Sequence, residues 1–173
     1  MRTNIRKLKL AMAFVALGSN LGDSRRILLA AIERLQEFSS VPVVRSSFYE
    51  TTHVDCPPDS PPFLNVVAGL LPRPEETPES LLARLHSLET EFGRTPKKVL
   101  NEPRPLDLDL IAFGRQMRHS TNFILPHPRA AQRRFVLEPL GEIAPDLILP
   151  NQKKTVAELL ATLPEAGQVI RLP

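Results

Sequence analysis

The residues best equipped for chemistry lie in one short run, Arg104-Pro105-Leu106-Asp107-Leu108-Asp109-Leu110-Ile111-Ala112-Phe113. Leu108, Leu110 and Ala112 alternate with Asp107, Asp109 and Ile111, which predicts a strand with both carboxylates on one face. Residues i and i+2 of a strand sit about 6.5–7 Å apart. Two carboxylates so close repel at neutral pH unless something positive lies between them. A hard divalent cation, or a pair of them, meets that need, and Arg104 is suited to an anion carried by the metal. The combination points to phosphate chemistry. The competing reading is that each carboxylate caps a turn or pairs with a surface arginine.

Other groups are less specific. Arg94, Lys97, Lys98 and Arg104 cluster ahead of the aspartates, either as a solvated basic loop or as anion ligands on a loop held by rigid elements. Gly18-Ser19-Asn20-Leu21-Gly22 lacks both the P-loop ending and the dinucleotide glycine spacing, so it reads as a structural turn. His127, between two prolines, belongs to no repeated metal pattern. It does stand near Arg133, Arg134 and Phe135, and an aromatic beside basic residues can hold a flat heterocycle next to a phosphate.

These residues need a scaffold. Residues 12–17 read as a buried first strand, and the turn at 18–23 leads to a helix capped by Asp23 or Ser24, with Ile27, Leu28, Ala31, Ile32, Leu35 and Phe38 at helical spacing. Strands are expected at 43–50 and 63–71, separated by a proline-rich irregular loop at 52–62. Thr77-Pro78-Glu79-Ser80 opens a second helix whose buried stripe is Leu81, Leu82, Leu85, Leu88 and Phe92, and Gly93 ends it. A loop at 94–103 leads into the aspartate strand. Short helices are expected at 129–141, a helix at 155–163 and a last strand at 168–172. Strand–helix–strand–strand–helix–strand describes a single-domain α/β (α+β) ferredoxin-like sandwich, mainly antiparallel, with helices on its faces. Residues 12–173 form that domain, and 1–11 an extension.

Composition narrows the classes. A chain of 173 residues with 42% hydrophobic and 24% charged content suits one globular domain. Eighteen prolines imply many stiffened loops. A net charge of +3 is too mild to argue for nucleic acid. One cysteine, Cys56, excludes an internal disulfide or a cysteine-rich metal site. Basic residues before the apolar run 10–17 imitate a secretory signal, but that run is short and flows straight into the turn at Gly18. A monomeric cytoplasmic enzyme with no nucleic-acid or membrane partner is the expectation.

In order along the chain come Val15-Ala16-Leu17-Gly18-Ser19-Asn20-Leu21-Gly22, Ser46-Ser47-Phe48-Tyr49-Glu50-Thr51, Phe63-Leu64-Asn65, Glu89 through Gly93-Arg94, Arg104 through Asp109, and Leu125-Pro126-His127-Pro128 through Arg133 and Phe135. In this combination the chain strongly resembles the 6-hydroxymethyl-7,8-dihydropterin pyrophosphokinase family over roughly residues 12–150. The resemblance implies transfer of the terminal diphosphate of ATP to the pterin hydroxymethyl oxygen, with release of AMP. It implies two Mg²⁺ ions on Asp107 and Asp109, with Arg94 and Arg104 completing the catalytic set on the phosphates. Phe63, Phe135, Asn65 and Thr51 match pterin-binding positions. His86, Glu89, Lys97, Leu110, His127 and Arg133 match ATP-binding positions.

The chain departs from the family pattern at several places. His86 replaces a frequent glutamine, Asn101 a tryptophan, Thr52 a proline, and Asn122 and Ile124 an arginine and a threonine. None removes a metal ligand or the two central arginines. A ferredoxin-like nucleic-acid module is the first rival, but interleaved aromatics and a strongly basic balance are missing. The second is a metal-dependent phosphohydrolase using the same aspartates, which would need further carboxylates or histidines around its metals.

Overall fold

The computed structural model describes residues 11–52, 61–95, 102–164 and 168–173. Cys56, Lys97, Lys98 and Asn101 lie outside these residues, as do most of the loops expected at 52–62 and 94–103 and all but the last residue of the 1–11 extension.

Strand β1 (Ala13–Ser19) is the spine, paired antiparallel on one side with β4 (Phe63–Leu70) and on the other with β5 (Asp107–Phe113). Beyond β4 come β3 (Tyr49–Thr51) and β8 (Val169–Arg171), giving the order β5-β1-β4-β3-β8. A small hairpin of β6 (Arg118–Ser120) and β7 (Phe123–Leu125) stands apart.

Helix α1 (Ser24–Leu35) starts where Asp23 accepts a hydrogen bond from the Arg26 N–H (3.1 Å). Helix α2 (Pro78–Glu91) starts with a capping box between Thr77 and Ser80. Both bury their leucines on one face of the sheet, against Val15, Leu17, Val66, Ala68, Leu108 and Leu110. Helices α3 (Arg134–Ile143) and α4 (Val156–Thr162) cover part of the other face, over Phe14, Val67, Ile111 and Ala112. The ferredoxin-like sandwich expected from the element order is therefore present, with helices on both faces.

Two local expectations are corrected. The strand expected over 43–50 is broken into β2 (Val44–Arg45) and β3, both alongside β4. Between them the Ser46 hydroxyl, in place of a backbone carbonyl, accepts from the Val67 N–H (3.1 Å). Ser47 N–H turns outward to Glu142 (2.9 Å), which also accepts from Ser47 Oγ and Tyr49 Oη. Secondly, the alternation of β5 does not run to its end. The register with β1 slips between Leu110, opposite Val15, and Ala112, opposite Phe14. That bulge puts Ile111 and Ala112 together in the α3 layer and returns Phe113 to the α1/α2 layer.

Candidate functional site

Asp107 and Asp109 share the face of β5 that α3 and α4 cover further along the strand. In register, Asp109 lies opposite Ala16 and Asp107 opposite Gly18. Here β1 contributes no bulky side chain, so the sheet surface stays open as the floor of a cleft. Gly18 keeps it so: a Cβ there would lie 3.3 Å from Asn65 Oδ1 and 3.6 Å from the Phe63 ring. The cleft is lined by Phe63, Asn65, Arg104, Asp107, Arg133 and Phe135, with Asp109 at its edge. Asp109 also borders a second cleft lined by His86, Leu110, Asn122, Ile124 and His127. Asp109 thus stands where the two hollows meet, with Asp107 in the first.

Both aspartates are paired with arginines. Arg94 reaches Asp107 Oδ1 at 2.8 Å, and Arg104 reaches Asp107 Oδ2 at 3.6 Å. Arg133 lies 3.7 Å from Asp109 Oδ2, and His127 Nε2 lies 4.0 Å from the same oxygen. The aspartates are only partly buried, with side-chain exposures of 24% and 37%. Around them three arginines face three carboxylates, the third being Glu89. The arginines balance the repulsion between the acids.

Glu89 sits on α2, only 4% exposed, yet it is ionically engaged. Its Oε1 accepts from the Leu108 N–H (2.7 Å) and contacts Arg94. Burial pushes its carboxyl up, opposed by the Leu108 amide and the Arg94 charge. Expected on the nucleotide side, Glu89 lies between the two aspartates' strand and Arg94, bracing both.

His127 is fixed from both sides. Its N–H donates to Ile111 O (2.9 Å), tying the loop after β7 to the bulge of β5. Its Nδ1 accepts from the Arg129 N–H (3.2 Å), so the neutral ring carries its proton on Nε2, the atom facing Asp109. Burial holds the imidazole below its ordinary value, Asp109 pulls the other way, and Arg133 and Arg129 add to the depression. Arg133 is itself disfavoured by burial and by Arg129.

On the aromatic side, the Arg104 guanidinium lies 5.6 Å from the Phe63 ring centre and that of Arg133 lies 5.4 Å from Phe135. Asn65 Nδ2 donates to Thr51 Oγ1 (2.8 Å), which leaves its second amide hydrogen and its carbonyl oxygen for the edge of a ligand. Thr51, 3% exposed, stands behind Asn65 and sets its orientation. Of the residues expected at the site, only Lys97 falls outside the described residues. Sequence reasoning missed Asn20, which makes two backbone-level contacts to Arg104 and was read as part of a structural turn.

Among the described residues no group of three or more His, Cys, Asp or Glu gathers as a metal nest. The donor set still suits magnesium, which is held by one or two carboxylates and completed by waters and substrate phosphates. Two carboxylates on one open strand face, with arginines alongside to meet the phosphates, fit that pattern.

The sequence profile described as 7,8-dihydro-6-hydroxymethylpterin-pyrophosphokinase matches residues 14–145. The chain is 38% identical to the 2-amino-4-hydroxy-6-hydroxymethyldihydropteridine pyrophosphokinase of Pseudomonas aeruginosa, over 92% of this chain and 96% of that one. It is 39% identical to the Bacillus subtilis protein of the same name, over 76% and 77%. It is 37% identical to the folic acid synthesis protein of Pneumocystis carinii over 83% of this chain, but spans only 19% of that longer protein. The fold matches the crystal structure of wild-type Plasmodium falciparum HPPK-DHPS with pteroate at a TM-score of 0.68 and 12% identity, covering 87% of this chain and 44% of that one. At that identity the likeness speaks for the fold alone.

Proposed function

The chain belongs to the 7,8-dihydro-6-hydroxymethylpterin pyrophosphokinase family, and we propose that the Asp107/Asp109 face of β5 is where it carries out that family's reaction. The activity is ATP-dependent diphosphate transfer to the hydroxymethyl group of 6-hydroxymethyl-7,8-dihydropterin, a step of folate biosynthesis. The observation that carries the site assignment is the position of Asp109, common to the aromatic cleft and the His86/Leu110/His127 cleft. The first cleft takes the pterin, the second the adenosine, and the triphosphate crosses the aspartates between them.

Each residue then has a physical task. Phe63 and Phe135 hold the flat bicycle by stacking, and Asn65, oriented by Thr51, reads its polar edge. Asp107 and Asp109 hold Mg²⁺, which we take to be two ions. When bound, the metal neutralises phosphate charge and aligns the triphosphate. Arg94, Arg104 and Arg133 exchange their aspartate partners for phosphate oxygens, as bidentate guanidinium donors favour. His127 offers its Nε2 proton on the nucleotide side, where His86 and Leu110 complete the contacts, and Glu89 braces Arg94 and β5. The pterin hydroxymethyl oxygen forms a bond to the β-phosphorus and gives up its proton to solvent, the bond from that phosphorus to the α-phosphate oxygen breaks, and AMP leaves. No covalent enzyme intermediate is needed, so positioning and electrostatics carry the rate.

We take residues 12–173 to act as one domain in a monomeric cytoplasmic enzyme. No helix among the described residues is long and apolar enough to cross a membrane. Following AMP formation with and without the pterin tests the reading. Pterin-dependent AMP is expected, while pterin-independent release of inorganic phosphate would instead support the phosphohydrolase reading. Phe135→Ala gives a more local test. Removing one stacking face costs about 2 kcal/mol of pterin binding, roughly thirtyfold in Kd. Nucleotide affinity should hardly change, and equal losses for both ligands in calorimetry would count against stacking.

A further inference from the structure

Arg104 lies between Pro103 and Pro105, neither of which has an N–H. The Arg104 amide is therefore the single backbone donor in that three-residue stretch, which belongs to no helix or strand. Asn20, 3% exposed, takes both backbone groups of Arg104. Its Oδ1 accepts from the Arg104 N–H at 2.9 Å, and its own N–H donates to the Arg104 carbonyl at 3.2 Å. Its Nδ2 donates a longer bond, 3.4 Å, to the carbonyl of Pro61, two residues before Phe63. One buried amide thus joins the β1–α1 turn, the approach to Phe63 and the segment bearing Arg104.

We propose that Asn20 is a positioning residue of the transfer reaction, one that fixes the Arg104 backbone and couples it to the pterin-side entry of β4. The inference rests on the functional reading above. The Arg104 guanidinium must serve both Asp107 and Phe63, and its side chain is long. Without an anchor on the backbone, the guanidinium would sample positions away from the transferring phosphate. Aspartate could accept from the Arg104 N–H but has no donor for Pro61, and serine would have to do both through one oxygen, whereas the amide accepts and donates from two separate atoms.

Steady-state kinetics of Asn20→Leu and Asn20→Asp beside the unaltered enzyme test this. Leucine nearly preserves volume but removes the acceptor and the side-chain donor. Its kcat should fall on the order of tenfold to hundredfold, as expected for a misplaced charged group. Aspartate keeps the acceptor, so its kcat should stay within about threefold of the unaltered enzyme while the pterin KM rises several-fold from the lost Pro61 bond. A merely structural asparagine would lower Tm in both variants and leave kcat of the folded protein unchanged. A kcat for folded Asn20→Leu within about twofold of the unaltered enzyme overturns the proposal. If Asn20→Leu does not fold, Asn20→Asp decides: a raised pterin KM at retained kcat supports the coupling, and an unchanged pterin KM overturns it. Should the unaltered chain itself form no AMP, the functional reading fails first, independently of Asn20.

Discussion

Alanine at Asp107 or Asp109 lowers turnover by about 10³-fold or more while the protein remains folded. Metal-assisted stabilisation of transferring phosphate is worth several kcal/mol, and each 1.36 kcal/mol is tenfold in rate, which sets that scale. Stability should change modestly, because both carboxylates are partly exposed while Arg94, Arg104 and Arg133 are more enclosed. Fully exposed ion pairs contribute about 1 kcal/mol or less, and these half-enclosed pairs somewhat more. The two variants should differ in character. Asp107 pairs with Arg94 and Arg104, so its loss takes that partner from Arg104 and leaves Arg94 on Glu89 alone. Asp109 faces Arg133 and His127 and borders both clefts, so its loss falls more on the nucleotide. The check is kcat for both variants together with thermal unfolding and Mn²⁺ binding in the presence of a non-cleavable nucleotide. Near-full activity in both would refute the metal assignment.

Arginine pairing at these aspartates, the structural alternative for Asp107 and Asp109, is what the structure displays, and it is compatible with metal binding. Three arginines against three carboxylates balance the charge of the site. A metal–triphosphate complex brings positive charge to the acids and negative charge to the arginines at the same time. Free metal brings only the first half, so it must compete with guanidinium groups held as close as 2.8 Å. The nucleotide therefore assists metal binding, and the arginines are already near where the phosphates will lie.

What could be read from the chain followed from local periodicity. The period-2 pattern placed Asp107 and Asp109 together, and helical spacing identified the leucine stripes of α1 and α2. The bulge at Ile111 escaped because one extra residue in an apolar strand leaves no trace in composition. The break of the second strand escaped because Ser46 looks like any strand residue until its hydroxyl replaces a carbonyl. Glu89 did carry a signal. It lies four residues after Leu85, on the buried stripe of α2, where an acid needs a partner. Asn20 and Arg104 are 84 residues apart, and no periodicity links them. The nearest clue was the pair of prolines around Arg104, which leaves one amide needing an acceptor.

Arg104→Ala should lower kcat by about 10³-fold or more, the range seen when a single preorganised donor or arginine is taken from a transferring phosphate. Its effect on pterin binding should be much smaller. The contact of Arg104 with Phe63, at 5.6 Å from the ring centre, is of a kind worth about 0.5–1 kcal/mol, or up to about fivefold in Kd. The difference arises because charge on the diphosphate oxygens grows as the bond to the α-phosphate breaks, whereas the ring contact is the same before and during transfer. Arg104→Lys should fall between the two. It keeps the charge but loses the planar fork that can trade Asp107 for two phosphate oxygens. It would also remove the Arg104 Nε, which is buried without a hydrogen-bond partner. Single-turnover AMP formation with saturating pterin separates these effects. A lysine variant with alanine-like kcat would show that geometry outweighs charge at this position. A large loss of pterin affinity at unchanged kcat would move Arg104 out of the phosphate site altogether.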